Sequence, residues 1–109
     1  MPSDINEISV RDLAKKYEAN EAFVLLDVRE PYEIALAALP GATLVPMMEI
    51  PQRFEELPRD RQIVVLCHHG ARSERVTSFL LANGFSNVAN LEGGIDAWST
   101  VVDQSISRY

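Results

Sequence analysis

The chain has 109 residues, 47% of them hydrophobic, and it carries a formal net charge of −6. This length suits one compact domain with a hydrophobic core and leaves no room for two. The acidic charge disfavours binding to nucleic acid or to an anionic membrane, because both require a basic surface. A small anionic ligand stays compatible with it, since the charge inside a pocket can oppose the charge of the whole chain.

Helix caps and apolar runs indicate the elements in the first half of the chain. Ser9 and Asp12 have the spacing of a helix N-cap signature, and they predict a helix that begins there. Residues 23–26 form a continuous apolar run, which is typical of a strand covered on both faces. Pro31 suits the first turn of a short helix. Residues 43–45 predict a short second strand.

The second half of the chain continues the alternation of strands and helices. Residues 47–57 predict a short helix, and residues 63–66 form a second continuous apolar run. Residues 73–83 predict a further helix, which Ser73 can cap. Residues 87–89 predict a short strand, and residues 95–102 predict the last helix.

This alternation predicts an α/β fold, with three layers (α/β/α) around a central, mainly parallel sheet. We expect a single domain over residues 1–109, with its core at about residues 5–102 and a polar C-terminal tail over residues 103–109. Sheets of this kind bind ligands beyond the carboxyl ends of their strands. Two predicted strands end there in polar segments, residues 27–30 and residues 67–73.

The chain has one cysteine, Cys67, so an intramolecular disulfide is excluded. Residues 1–6 lack the basic and then apolar pattern of a secretory signal, and no apolar run approaches the roughly 18 residues of a membrane span. We therefore expect a cytoplasmic protein without a membrane partner. In that reducing compartment a free thiol stays usable.

The segment after the second apolar run carries the strongest chemical signal. Cys67 directly follows a buried strand, and the predicted helix begins a few residues later. A tight loop in this position directs backbone N–H groups inward, at the positive end of the helix dipole. Such a cradle stabilises an anion, which at Cys67 would be a thiolate or a persulfide. Gly70 gives the turn its backbone freedom, and Arg72 offers a fixed charge to an incoming oxyanion.

Other interpretations of these residues are open. Cys67 could be a buried core cysteine. His68 and His69 could be surface loop residues, or they could flank the mouth of a pocket and gain charge near neutral pH. We expect no metal there, because adjacent side chains cannot easily surround one ion and the chain has no further Cys or His.

The charged residues near the two strand ends also have structural interpretations. Arg72 could pair with Glu74 or Asp27 as well as contact a substrate. Asp27 and Arg29 favour a structural ion pair over a catalytic role. Ser73 is interpreted first as a helix cap.

Four segments in order resemble the rhodanese, or thiosulfate sulfurtransferase-like, domain family over nearly the whole chain. Residues 67–73 (CHHGARS) resemble the active loop of that family, and residues 26–30 (LDVRE) its first signature. Residues 40–42 (PGA) and residues 91–98 (LEGGIDAW) resemble its later segments. The chain departs from the pattern at Ala37-Ala38, where the family commonly has Gly-His. We interpret this change as a lost local contact outside the active loop.

The resemblance implies a rhodanese-like fold and a sulfurtransferase mechanism without a cofactor. Cys67 would take a sulfane sulfur from thiosulfate or a related small anionic donor, and would hold it as a persulfide. A thiophilic acceptor, such as cyanide, a thiol or a protein, would then remove that sulfur. The substrate-binding residues implied are those of the loop: His68, His69, Gly70, Ala71, Arg72 and Ser73.

Three other functions are alternatives to this one. A persulfide carrier would deliver sulfur between partner proteins, with thiosulfate activity incidental. A non-catalytic module of this fold is disfavoured by the intact Cys67. A small phosphatase or arsenate reductase is disfavoured by loop length, because four residues separate Cys67 from Arg72 and the similar phosphatases have five.

Overall fold

The computed structural model describes residues 6–109 as one parallel sheet with helices on both faces, which confirms the predicted α/β architecture. The five strands lie in the order β1-β5-β4-β2-β3, and every neighbouring pair is parallel. The strands are β1 (Glu7–Ile8), β2 (Phe23–Asp27), β3 (Thr43–Leu44), β4 (Gln62–Leu66) and β5 (Val88–Leu91). The helices are α1 (Val10–Glu18), α2 (Pro31–Leu36), α3 (Ile50–Arg53), α4 (Ala71–Ala82) and α5 (Gly94–Val101).

The continuous apolar runs of β2 and β4 arise because both faces of the sheet are covered. Successive side chains of a strand point to opposite faces. Leu25 and Val64 accordingly belong to one buried cluster, which also includes side chains of α1 and α5. Leu26 and Val65 belong to a second cluster, which includes side chains of α3 and α4. The sheet thus separates two apolar layers.

Several predicted elements differ from the structure at their ends or in their extent. The helix predicted over residues 47–57 is α3, four residues long, between two 3-10 turns. Strand β1 was not predicted, because two residues carry no periodic pattern. Ser9 caps α1 as predicted, since its side chain accepts from the Asp12 N–H at 3.1 Å. Helix α4 begins at Ala71, so the prediction that Ser73 caps this helix is wrong.

The register of the sheet brings the two polar segments together at its carboxyl edge. Asp27, at the end of β2, is paired with Leu66, at the end of β4. The Val28 N–H continues the ladder by donating to the Leu66 carbonyl at 3.0 Å. The residues that follow these two strands are therefore neighbours, as the sequence predicted.

The two ends of the predicted domain differ in what the structure describes. The first residue of the predicted core, residue 5, lies outside the described residues, and the single-domain organisation stays a prediction. In the predicted tail, residues 103–109, Tyr109 contacts Arg29 and Glu33 beyond the carboxyl end of β2. Within residues 6–109, no helix has both the length and the apolar character needed to cross a membrane.

Candidate active site

Cys67 follows β4 directly, and its side chain points into the layer that α4 covers. The residue is 1% exposed, as a core cysteine would be. Its sulfur is nevertheless in a polar setting. The Gly70 N–H donates to Sγ at 3.0 Å, and the Ser73 hydroxyl lies 3.3 Å from Sγ. One backbone N–H and one hydroxyl therefore lie within hydrogen-bond distance of the sulfur, and both are groups that can donate to it.

Gly70 makes the tight turn that brings its own N–H back to the sulfur. Its φ of +115° lies in the region that side chains rarely adopt, which agrees with the predicted need for glycine here. Gly70 is also the N-cap of the twelve-residue helix α4. The positive end of that helix dipole therefore faces the loop that holds Cys67.

Ser73 lies in the first turn of α4 and contacts the loop instead of capping the helix. Its hydroxyl is within hydrogen-bond distance of Cys67 Sγ, the Gly70 carbonyl and Asn90 Oδ1. A hydroxyl has one proton to donate, so these three acceptors share it. The position of that proton can therefore respond to the charge on the sulfur.

Asn90 completes this network, although the sequence analysis did not single it out. It lies in β5 and is buried, and its Nδ2 contacts the Gly70 carbonyl at 3.4 Å and Glu7 Oε2 at 3.3 Å. Buried polar side chains need hydrogen-bond partners. An Asn inside an otherwise apolar strand was therefore the available signal that something polar lies beside β5.

The start of α5 holds the backbone of the Cys67 loop from the other direction. The Ile95 N–H donates to the Cys67 carbonyl at 2.9 Å, and the Asp96 N–H donates to the His68 carbonyl at 3.1 Å. A Cβ on Gly94 would lie 2.4 Å from that His68 oxygen, so only glycine allows this approach. This contact gives a physical reason for Gly94, whose role the sequence alone did not reveal.

His68 and His69 form an aromatic stack at the edge of the loop. The ring of His68 lies between those of His69 and Tyr109, with centroid distances of 3.9 and 3.8 Å. Its Nε2 is buried and has no hydrogen-bond partner among residues 6–109. Burial, together with the nearby His69, lowers the pKa of His68 below its usual 6.5. The neutral ring is therefore favoured near neutral pH, contrary to the gain of charge that the sequence suggested for His68.

His68 and His69 also lie near Asp96, and the three side chains offer ligand atoms within 4.8 Å of one another. Their arrangement does not fit a metal ion. Stacked imidazole rings direct their nitrogen lone pairs alongside one another, whereas a metal needs them to converge. Arg108 already binds both oxygens of Asp96, at 2.9 and 3.2 Å. The absence of a metal centre stays our prediction.

Arg72 pairs with Glu33 of α2, so the partners that the sequence suggested, Glu74 and Asp27, are wrong. Its Nη1 and Nη2 donate to Glu33 Oε1 and Oε2, each at 2.7 Å. These hydrogen bonds are the main cause that lowers the pKa of Glu33 to about 2. The guanidinium keeps part of its surface open, since 32% of the side chain is exposed. Ala71 beside it is exposed at the start of α4.

Asp27 and Arg29 form the predicted structural ion pair, at 2.8 Å and with both side chains 0% exposed. Arg29 also donates to the Ala37 carbonyl at 2.8 Å, which is a backbone contact and needs no particular side chain there. The departure at Ala37-Ala38 leaves this backbone contact in place, and its interpretation as a lost local contact stays a prediction. The pair fixes the turn from which α2 and Glu33 extend.

A parallel sheet with a cysteine loop at its carboxyl edge is the architecture of a known class of α/β domains, and comparison with known proteins identifies that class. Residues 9–100 match the Rhodanese-like domain family, and the chain belongs to that family. A sulfurtransferase of Allochromatium vinosum is 41% identical over 87% of this chain and 89% of its own length. The putative sulfurtransferase YtwF of Bacillus subtilis is 42% identical over 87% of this chain and 91% of its own.

A solved structure and two further relatives extend this comparison. A rhodanese-related protein from Thermoplasma volcanium superposes with a TM-score of 0.80 at 33% identity, covering 87% of this chain and 91% of that one. The putative sulfur carrier protein YrkF of Bacillus subtilis is 35% identical over 89% of this chain and 52% of its own length. The thiosulfate sulfurtransferase GlpE of Pseudoalteromonas translucida is 28% identical over 81% of this chain and 84% of its own. These relatives support a sulfurtransferase enzyme.

Proposed function

We propose that the chain moves a sulfane sulfur from thiosulfate, or a related small donor, to a thiophilic acceptor through a persulfide on Cys67. One observation carries this proposal. The buried Cys67 sulfur lies at a strand end, where the Gly70 N–H donates to it and the Ser73 hydroxyl is within hydrogen-bond distance. A thiol used only for packing has no need of two polar donors.

The proposed reaction has two displacements and no net oxidation. The Cys67 thiolate attacks the outer sulfur of thiosulfate, a new S–S bond forms, and sulfite leaves with the electron pair of the old bond. Cyanide or a thiolate then attacks the outer sulfur of the persulfide, and the Cys67 thiolate leaves. Thiolate and persulfide are both anions, so the same cradle would serve both states.

The loop residues divide the proposed substrate contacts between them. Gly70 and Ser73 would offset the charge on sulfur, and the exposed start of α4 at Ala71 would leave room for the donor. Arg72 would attract the anionic donor. His68 and His69 would form one wall of the entrance. No cofactor takes part in the proposed steps.

Sulfur transfer fits the loop better than phosphate chemistry does. The four residues between Cys67 and Arg72 make a ring small enough for one sulfur atom, whereas the similar phosphatases have five. Both terminal nitrogens of Arg72 donate to Glu33, each at 2.7 Å, so any anionic ligand would compete with Glu33 for the guanidinium.

A persulfide carrier that serves partner proteins is the second candidate. The similarity to a putative sulfur carrier protein supports it. Leu36 and Met48 support it as well, because these apolar side chains are 53% and 76% exposed on segments that follow the carboxyl ends of β2 and β3. A cytoplasmic location, where thiol partners stay reduced, would suit either candidate.

Intact-mass measurement tests the proposal directly. Thiosulfate should add the mass of one sulfur atom to the chain, and cyanide should remove it. Cys67→Ser should show neither change while it melts at nearly the same temperature, since the two side chains have similar size. Sulfur uptake by the Cys67→Ser protein would overturn the proposal.

The same assay separates the enzyme from the carrier. Loading rates are compared for thiosulfate and for a low-molecular-weight persulfide donor at equal concentration. Faster loading from thiosulfate favours the enzyme. A large preference for the persulfide, with slow turnover of thiosulfate, favours the carrier.

A further inference from the structure

The segment of residues 103–109 is built into the edge of the candidate active site. The Ser99 hydroxyl donates to the Ile106 carbonyl, and Ile106 and Tyr109 pack against the buried cluster that contains Trp98. Arg108 binds Asp96 of α5 through both carboxylate oxygens. These contacts bring the Tyr109 side chain to the Cys67 loop.

The Tyr109 hydroxyl connects the two ion pairs beside the loop. It donates to Glu33 Oε2 at 2.9 Å and accepts from Arg29 Nη1 at 2.9 Å. The oxygen that it contacts on Glu33 is the one that binds Arg72 Nη2. The hydroxyl therefore restrains the carboxylate that holds the Arg72 guanidinium in place.

The Tyr109 ring makes a second, separate contact with the loop. It lies nearly parallel to the His68 ring, at an angle of 6° and a centroid distance of 3.8 Å. His68 directly follows Cys67, and its carbonyl is fixed on its other side by the start of α5. The ring of Tyr109 thus closes the stack that limits how the residue after Cys67 can move.

We propose that Tyr109 is a positioning residue of the sulfur site. Its hydroxyl fixes the position of the Arg72 guanidinium through Glu33, and its ring fixes the orientation of the His68 ring. This inference rests on the proposed sulfur transfer and adds a residue to it. The hydroxyl acts on the anionic donor, because Arg72 is the fixed cation of the loop. The ring acts on the loop in both half-reactions.

Two variants separate these roles. Tyr109→Phe keeps the ring and loses the hydroxyl with its hydrogen bonds to Glu33 and Arg29. The KM for thiosulfate should rise about threefold to tenfold with kcat nearly unchanged, as expected for loss of the one hydrogen bond that acts on Arg72 through Glu33. Tyr109→Leu loses the ring as well, so kcat should also fall. Tyr17→Phe is the matched control, because it removes a tyrosine hydroxyl bonded to the Pro40 carbonyl at 2.8 Å, away from the loop.

Proton NMR titration of His68 gives a readout that does not depend on turnover. Removing the stacked ring exposes the imidazole, so the pKa of His68 should rise toward its usual value in Tyr109→Leu and stay low in Tyr109→Phe. The chain has two histidines, and replacing His69 identifies the resonance.

The outcomes distinguish failure of this inference from failure of the proposed function. If the wild-type protein takes no sulfur from thiosulfate, the proposed function is wrong. The His68 titration would then still test whether the Tyr109 ring positions His68. Equal KM values for Tyr109→Phe and Tyr17→Phe would overturn the role of the hydroxyl. An unchanged His68 titration in Tyr109→Leu would overturn the role of the ring.

Discussion

The two sides of the Cys67 loop are held by different kinds of contact. On the inner side, which we define as Gly70, Ser73, Asn90 and Gly94, short side chains and backbone groups meet with almost no exposure of Ser73 and Asn90. On the outer side, defined as His68, Arg72, Glu33 and Tyr109, long side chains meet through ion pairs and stacked rings, and Arg72 is partly exposed. We infer that the inner side fixes the position of the Cys67 sulfur, whereas the partly exposed side chains of the outer side face an incoming ligand.

The two sides also differ in charge. The inner side offers neutral dipoles to the sulfur, and in the proposed reaction these would lose little when the charge moves from thiolate to persulfide. The outer side continues into Asp27 and Arg29, so that two acids and two arginines alternate and their formal charges cancel. In the proposed reaction, an anionic donor would therefore compete with Glu33 for Arg72. Under that proposal, changes on the outer side would alter which donor is preferred.

Gly94→Ala should have the largest effect, because it forces the inner side apart. The added Cβ would lie 2.4 Å from the His68 carbonyl oxygen and 2.5 Å from that of Cys67. Overpacking of this kind costs roughly 1–3 kcal/mol, and the backbone of the loop must shift to relieve it. We expect a clear loss of free energy of unfolding in urea and loss of most sulfur uptake.

Gly41→Ala is the control for that change. Gly41 also has a positive φ, +75°, but a Cβ there meets nothing within 4 Å. It should therefore lose only the stability that an unfavourable φ costs, with sulfur uptake intact. If both alanine variants lose stability equally and keep their activity, the close contact at Gly94 does not hold the inner side together.

Arg72→Ala should weaken the outer side and slow loading from thiosulfate about tenfold to hundredfold, the expected cost of one lost charge-assisted contact. Thiosulfate carries two negative charges, and the chain as a whole carries −6, so a local cation must offset the repulsion. Transfer from a preloaded Cys67 persulfide to cyanide should change much less. Stopped-flow measurement of each half-reaction at several salt concentrations tests this difference.

Two companion variants sharpen the Arg72 result. Arg72→Lys keeps the charge and loses the bidentate geometry, so it should retain part of the donor step. Arg75→Ala removes an exposed arginine from the same helix and should leave both half-reactions unchanged. Equal slowing of both half-reactions in Arg72→Ala would mean that Arg72 shapes the loop instead of binding the donor.

Lowering the pH should weaken the Glu33–Arg72 ion pair of the outer side. The Arg72 hydrogen bonds lower the pKa of Glu33 from 4.5 to about 2. A depressed pKa means that the ionised carboxylate stabilises the fold above about pH 4.5, and that this stability is lost as the pH falls toward 2. Glu33→Gln should be less stable than wild type near neutral pH, and the gap should close over that window.

Thermal melts across the acidic range measure this gap. Glu55→Gln, which changes an exposed carboxylate on the 3-10 turn after α3, serves as the control and should run parallel to wild type. A gap between Glu33→Gln and wild type that stays constant from neutral to acid pH would show that ionisation of Glu33 does not stabilise the outer side.

The inner side shows how far the sequence could lead. The apolar runs of β2 and β4 predicted the sheet, because burial on both faces leaves a direct pattern in the chain. Cys67 and Gly70 were predicted because a loop between strand and helix is local. Ser73 was assigned to a helix cap because helix ends are uncertain by one or two residues, and that shift changes what a side chain contacts.

The outer side shows what the sequence could not supply. Tyr109 and Arg29 are 80 residues apart, and Arg72 and Glu33 are 39 apart. No local sequence pattern indicates which acid forms an ion pair with a given arginine, since that depends on how α2 and α4 pack on the sheet. The acids suggested for Arg72 were near in sequence or at a strand end, whereas the true partner lies in the first turn of another helix, α2.

Arg108→Ala should have the smallest effect of all, although it removes a bidentate ion pair from the segment that carries Tyr109. Arg108 is 64% exposed, and exposed ion pairs contribute little because water and salt screen them. Tyr109 keeps its two hydrogen bonds and its stacked ring, so the segment should stay in place. We expect the KM for thiosulfate to change by no more than about a factor of two.

Salt provides the deciding measurement for this last variant. If the buried contacts of Tyr109 hold the segment, added salt should leave the wild-type KM for an uncharged sulfane-sulfur donor unchanged, and Arg108→Ala should match it. If the Arg108–Asp96 pair holds the segment, salt alone should reproduce the Arg108→Ala phenotype, and both should approach that of Tyr109→Leu. That result would move control of the outer side from buried contacts to surface charge.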